Sequence, residues 1–444
     1  MGCCTGWGMP PVDEILFSRS PGESRFALMA GGVPVEFVID RGAAGVGAFV
    51  LGRVLSVNRG LDAAFVDIGE PLPGFLASPG AAHGEGAVVL VQVTAASRGS
   101  KGAALSAQPS MQGSLLVYTP ARPGLNLSRR IADDARREGL RTLLRGLLEP
   151  HEGLVVRTEA AEADEAALLA ELTSLRGRWR SLSEQAAKAA APARLLAVPP
   201  LAELLAAHPR VAALRVDDRA ALAEAKALFP AAIHEEGVFD REAGEALDQA
   251  LDPRVPLPGG GSLIIETTAA YVTVDIDSGG GAPLAANLAA VPEIARQLRL
   301  RGLAGHILID IIPLKDRQAQ ARLLAALRKA VADDPTPTHV VGVTPLGSVE
   351  MTRERRRPSL AELLLDGGAP TRNAETLGLE GLRAALRAAF DRPQARIALA
   401  AAPGVAALLS RNHAALDDAA RRLGRPLPVR AVPDVATYQI IEEP

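Results

Sequence analysis

Tyr271-Val-Thr-Val-Asp275-Ile-Asp277-Ser278 and His306-Ile-Leu-Ile-Asp310-Ile-Ile312 are two short hydrophobic runs, and each carries an aspartate near its end. Val, Ile and Leu favour a buried strand, where a carboxylate is costly unless something pairs with it. Between the runs, Glu293-Ile-Ala-Arg-Gln-Leu-Arg-Leu-Arg301 reads as part of a basic amphipathic helix over 292–301. Two strand-end carboxylates beside a row of arginines point to a metal site that handles a phosphate.

Asp275 and Asp310 lie 35 residues apart (310 − 275), so one sheet can hold both at the same edge. A divalent cation would offset their repulsion. Magnesium prefers oxygen ligands and keeps waters, which suits a phosphodiester substrate. Asp277 alternates with Ile276 and so faces the same side as Asp275. It is a candidate third ligand or a hydrogen-bonding support for the first two. The competing reading makes all three solvated aspartates at a sheet edge.

The remainder of the chain bounds the answer. Its 444 residues are enough for several domains, and at 48 % hydrophobic it can bury real cores. The formal net charge is −3, so bulk charge does not mark a nucleic-acid binder, and any such role rests on local patches. The only cysteines, Cys3 and Cys4, are adjacent and form no disulfide framework, and no Cys/His cluster has zinc spacing. The opening residues lack the regions of a signal peptide and read as a flexible leader, with Met9 an alternative first residue. The apolar run Ile397 to Leu409 is too short to cross a bilayer and contains Pro403. These features predict a soluble cytoplasmic protein with no membrane partner.

Several segments carry further chemistry. Residues 14–40 read as strands joined by a Gly-Gly turn. Residues 41–106 hold short strands broken by glycine, the pattern of a small barrel. Five acids balance five bases from Asp40 to Lys101, so this module is neutral. A face presenting Phe65, Phe75 and Lys101 can stack bases and hold a phosphate; plain core is the competing role of Phe65. Arg129, Arg130, Arg157 and Thr158 form a candidate anion pocket, or equally a solvated, salt-bridged surface. Residues 161–192 read as a long helix around Trp179, and 187–200 as a connector. The glycine triplets at 259–261 and 279–281 lack the surroundings of a nucleotide fingerprint. Residues 375–444 read as a compact α/β unit.

With these segments in hand, the chain resembles the bacterial ribonuclease E/G family, in its short, ribonuclease G-like form. The most specific stretches are Leu61-Asp-Ala-Ala-Phe-Val-Asp-Ile-Gly69, Gly99-Ser-Lys-Gly-Ala-Ala-Leu105, Leu127-Ser-Arg-Arg-Ile131, Val156-Arg-Thr158, Glu293 to Arg301, and Val349-Glu-Met-Thr-Arg353. They occur in family order from residue 13 onward. The resemblance implies a multidomain α/β fold, with an OB-type S1 barrel inserted in an RNase H-like subdomain, then a 5′-sensor region and a DNase I-like catalytic subdomain. On this chain the implied parts are a leader (1–12), the first RNase H-like part (13–40), the S1 domain (41–106) and the 5′-sensor region with its connector (107–210). They continue with the second RNase H-like part (211–262), the catalytic subdomain (263–358), a degenerate zinc-link region (359–374) and the C-terminal α/β unit (375–444).

The implied activity is magnesium-dependent endonucleolytic hydrolysis of single-stranded, A/U-rich RNA, leaving 5′-phosphate and 3′-hydroxyl ends, in rRNA processing or mRNA decay. Asp275 and Asp310 match the family's magnesium-holding aspartates. Phe65, Phe75 and Lys101 match RNA-contacting positions. Arg157 and Thr158 match the pocket that senses a 5′-monophosphate, with Leu127 at its wall. Arg296 is a further candidate for phosphate contact, and salt bridging is the alternative role of Arg299 and Arg301.

The chain departs from the family at four places. Leu364-Leu365-Asp-Gly-Gly-Ala-Pro-Thr replaces the cysteines of the zinc link, so zinc is not expected and any homo-oligomer would form without it. The loop Ser278-Gly-Gly-Gly-Ala-Pro-Leu284 is short and lacks the basic and Thr residues that usually precede Asn287. Pro337 replaces a basic residue of the 5′-sensor. Asp277 stands where the family has an asparagine, which adds negative charge to the site. Two alternatives to the nuclease stay open on these grounds: an RNA-binding member with weak or no cleavage, and a surface for protein partners.

Overall fold

The computed structural model describes residues 11–42, 45, 47–78, 84–95, 97, 101–128, 131, 133–195, 199–258, 260–268, 270–355, 357–367 and 370–443. The leader with Cys3, Cys4 and Met9, and the pair Arg129 and Arg130, lie outside the described residues. The chain divides into two units, Met1–Gly42 with Pro200–Pro444, and Ala43–Pro199.

The inserted unit contains a barrel. Strands Phe49–Asn58, Ala63–Asp67, Gly74–Ala77, Ala104–Ser106 and Val88–Ala95 follow one another around it, and the last pairs back onto the first. Closure removes the exposed edges that such short strands would otherwise present. Val50, Val66, Leu76, Val91 and Leu105 fill its interior. A second, four-stranded sheet takes the order Gly124–Leu127, Gly153–Val156, Leu116–Thr119, Met111–Gln112. Helices Asp134–Arg145 and Glu165–Lys188 bury Leu140, Leu144, Leu168, Leu172 and Leu175 in its core. Glu152 ties this core together, accepting from Tyr118 Oη at 2.5 Å and Arg176 Nε at 3.0 Å. Burial pushes its carboxyl up, but those two partners outweigh this and hold it down at about 2.

The other unit holds three sheets. Glu14–Ser20, Glu23–Ala30 and Val33–Asp40 form an antiparallel meander extended in parallel by Ala213–Val216 and Ile233–His234. Phe17 and Phe26, register partners, stack at 4.6 Å between ring centroids. The six-stranded sheet takes the order Arg254–Pro256, Ser262–Thr267, Tyr271–Asp277, Gly305–Asp310, Val349–Arg353, Thr338–Val343. The two aspartate strands lie side by side and parallel, joined by the helix Pro283–Leu300. That helix and Arg317–Ala330 bury one face of the sheet through Val291, Ile294, Leu298, Leu323 and Leu327. The third sheet, Val429–Ala431, Arg396–Ala401 and Tyr438–Glu443, packs with the C-terminal helices.

Three elements differ from the sequence reading. The linking helix begins at Pro283, not 292. Proline suits a first helical turn, so Pro292 read as a start, yet it sits in the helix interior at the cost of one hydrogen bond. The connector read over 187–200 contains a strand, Ala193–Leu195, paired with the barrel strand Phe49–Asn58, and the residues from Pro200 are helical. They form the helix Pro200–Ala207, whose Leu201 and Leu204 join the core of Ile15, Phe17 and Phe26. The strand Tyr438–Glu443 carries only weak alternation, and its pairing with Arg396–Ala401 sets it.

Candidate active site

Alternation along the strand builds the site. Val272, Val274 and Ile276 point into the core, so Asp275 and Asp277 project from the opposite, open face. The neighbouring strand repeats the pattern, burying Ile307 and Ile309 and exposing Asp310. Asp275 and Asp310 are direct register partners in the parallel ladder. Adjacent strands lie about 4.8 Å apart, so the two carboxylates issue from neighbouring points on one face. Among the described residues neither carboxylate has a hydrogen-bond or ion-pair partner.

The donor set can be tested against a cation. Among the described residues no group of three or more His, Cys, Asp or Glu is gathered as a metal cage. Magnesium does not require one, since it is commonly held through one or two carboxylates and keeps several waters. Two unpaired oxygen donors on an open face fit that ion and lack the nitrogen or sulfur that zinc favours.

The surroundings fix the geometry. Asp277 Oδ1 accepts from Gly279 N at 3.2 Å and so turns the short loop back on itself. Gly261 has φ +87°, and a Cβ there would lie 2.3 Å from Asp277 O, so the two glycine turns pack backbone to backbone beside the site. Asn287 is fully buried; its Nδ2 donates to Ile312 O at 2.8 Å and its Oδ1 accepts from Ile312 N at 3.0 Å. It pins the chain just beyond Asp310 to the linking helix, a role its position after the loop did not announce.

The arginines do not join the carboxylates. The linking helix covers the buried face of the sheet, whereas Asp275 and Asp310 leave the open one. Arg296 pairs with Glu293 at 2.7 Å and donates to Pro34 O at 3.3 Å. Arg299 pairs with Glu36 at 2.8 Å, and Arg301 donates to Asp252 O at 2.7 Å. The helical period places Arg296 and Arg299 on one flank, but it could not say that this flank meets the strand Val33–Asp40. Lys315 and Arg317 are exposed on the segment that leaves Asp310.

The other candidate residues gather in the inserted unit. Phe65 and Phe75 are cross-strand partners on the barrel, with ring centroids 6.0 Å apart and near edge-to-face. Phe75 is 37 % exposed and Phe65 half-buried. Lys101 is exposed on the segment beside the Phe75 strand, where Phe75 N donates to Ala103 O at 2.7 Å. A Cβ on Gly102 would meet Pro73 O at 1.8 Å, which explains the glycine after Lys101. Leu127 pairs in register with Val156, the residue before Arg157 and Thr158. Thr158 Oγ1 lies 3.0 Å from Ser128 Oγ, and Arg157 Nη1 donates to Gly113 O at 2.8 Å. Arg137, which the sequence reading passed over, holds this corner by donating to Ser128 O at 2.7 Å and Ile131 O at 3.1 Å.

The ribonuclease E/G family model matches residues 110–356. The chain belongs to the ribonuclease E/G family. It is 31 % identical to ribonuclease G of Escherichia coli K12 over 89 % of this chain and 92 % of that protein. Ribonuclease G of Haemophilus influenzae is 29 % identical, covering 94 % of this chain and 96 % of the relative. Ribonuclease E of a Nostoc species is 33 % identical over 74 % of this chain but only 54 % of its own length. In size the chain is thus closer to the shorter ribonuclease G form. Membership of the ribonuclease E/G family supports a ribonuclease on a barrel-containing α/β fold. Among the described residues no helix is long and apolar enough to cross a membrane.

Proposed function

We propose that the protein is a magnesium-dependent endoribonuclease that cuts single-stranded, A/U-rich RNA, in rRNA processing or mRNA decay. One observation carries this reading: Asp275 and Asp310 are register partners on the open face of one sheet, neither with a hydrogen-bond or ion-pair partner among the described residues. They would hold the ion, which when bound polarises the phosphoryl oxygens and eases ionisation of a water. Hydrolysis to a 5′-phosphate and a 3′-hydroxyl breaks the bond between phosphorus and O3′. Asn287 keeps the Asp310 segment in place, and the exposed Lys315 and Arg317 offer charge to the RNA backbone. The barrel face of Phe65, Phe75 and Lys101 would stack bases and hold a phosphate. Arg157 and Thr158, with Leu127 beside them, would receive a 5′-monophosphate. On this reading the meander sheet is the RNase H-like subdomain, the six-stranded sheet the DNase I-like one, and the barrel the S1 domain.

The test is cleavage of a 5′-monophosphorylated, A/U-rich single-stranded RNA with magnesium or with EDTA, and of the same RNA with a 5′-hydroxyl. Cleavage is expected with magnesium only, and Asp275→Ala or Asp310→Ala should abolish it while the circular dichroism spectrum and melting temperature stay near wild type. Normal cleavage by either variant would sink the assignment. Asp277, a third carboxylate on the same face, favours a second reading, RNA binding with weak or no cleavage. Binding without magnesium-dependent cuts by the wild-type protein would establish it.

A further inference from the structure

The open face that carries the carboxylates also carries a row of rings. Tyr271 pairs in register with His306, His306 with Thr352, and Thr352 with His339. These four residues therefore lie on one line across four adjacent strands and project from one face. Tyr271 is 46 % exposed, and both histidines are exposed. The Tyr271 and His306 rings sit 5.8 Å apart at 46°. Thr352 is the small residue between the two imidazoles, which stand two strand spacings apart, roughly 9–10 Å. The slot opens into a depression of about 380 Å³ lined also by Pro337. Its floor is stiff, because the buried Arg353 is held by Asp334 at 2.8 Å and by Leu303 O at 2.9 Å.

Position ties the slot to the candidate active site. Tyr271 precedes Asp275, and His306 precedes Asp310, by four residues on the same strand face. That spacing is about 13 Å, within reach of a short single-stranded segment whose phosphate lies at the carboxylates. Charge selects which side of the RNA meets the sheet. Glu266 and Glu350 are exposed on this face and repel phosphates, so bases turn toward it.

Building on the nuclease reading, we propose that the slot between His306 and His339, flanked by Tyr271, holds a base of single-stranded RNA next to the cleavage site. Every base has a π-face, so stacking between imidazoles gives affinity with little sequence preference. The Thr352 hydroxyl at the bottom of the slot can bond a base edge.

Binding is measured on full-length protein carrying Asp275→Ala, so that RNA survives. Two RNAs are compared, one long enough to reach from the carboxylates to the slot and one too short. His306→Ala and His339→Ala should each weaken the longer RNA about fivefold or more and leave the shorter unchanged. His306→Phe, which restores a ring, should recover most of the affinity. Loss of less than about twofold on the longer RNA, equal loss on both RNAs, or no rescue by phenylalanine overturns the proposal. The nuclease reading fails separately, through absence of cleavage by the wild-type protein; histidine-dependent binding would then still stand.

Discussion

At the scale of the residue, the site depends on groups that touch no substrate. Asn287 satisfies both main-chain groups of Ile312, two positions beyond Asp310. Asn287→Ala leaves the half-buried N–H and carbonyl of Ile312 without that partner, at about 1 kcal/mol or more. Urea unfolding should show that loss. If the residue positions Asp310, kcat should fall more than the change in KM, and Asn287→Gln should not rescue, because the longer amide cannot reach both groups in a fully buried slot. A KM rise with unchanged kcat would assign Asn287 to packing alone. Asp277 acts on the same scale in the opposite sense: its carboxylate closes the loop through Gly279 N yet adds charge beside Asp275.

At the scale of the element, alternation and period reveal faces but not neighbours. The alternation of Asp277 with Ile276 put Asp277 on the same side as Asp275, as the strand has it, and the register sets the two aspartate strands side by side. The flank of Arg296 and Arg299 was equally visible, but the partner of Arg299, Glu36, is 263 residues away in the chain, and no local pattern encodes that pairing. Barrel closure is likewise a pairing of non-neighbours, Phe49–Asn58 with Val88–Ala95, that short strands and glycines imply only in kind. Glycine spacing is more informative at Gly102. Its Cα packs so close to Pro73 O that Gly102→Ala must push the Lys101 segment off the Phe75 strand. RNA affinity should drop about as far as in Lys101→Ala or Phe75→Ala, roughly fivefold or more, although no atom that meets RNA is changed. Wild-type affinity in Gly102→Ala would mean that the Lys101 segment takes no part in binding.

At the scale of the whole molecule, long-range charge pairs fasten the C-terminal region to the meander sheet and to the helical segments at Asp218 and Asp240, all inside their common unit. Glu23, 5 % exposed, accepts from Arg41 Nε at 2.8 Å and from Arg383 Nη1 at 2.7 Å, with Arg25 Nε at 3.9 Å. Arg383 comes from the helix Ala374–Asp391, which also sends Arg387 to Asp240; Arg422 reaches Asp218 from the next helix but one. Burial pushes the Glu23 carboxyl up, but Arg383, Arg41 and Arg25 outweigh it and hold it below the usual range. A native pKa below the unfolded value means that the unfolded chain binds the proton first. Glu23 therefore contributes stability that is full above the unfolded carboxyl value, near pH 4.5, and lost as pH falls through the lower native one. Glu23→Gln leaves three guanidinium groups around a neutral amide and should cost about 3–5 kcal/mol at pH 7. Its unfolding midpoint should also fall less steeply than wild type between pH 4.5 and more acid conditions. Limited proteolysis at pH 7 should release the C-terminal region faster from the variant. A wild-type pH profile in Glu23→Gln would show that these arginines draw their stability from Asp240 and Asp218 instead, and that Glu23 is not the clasp.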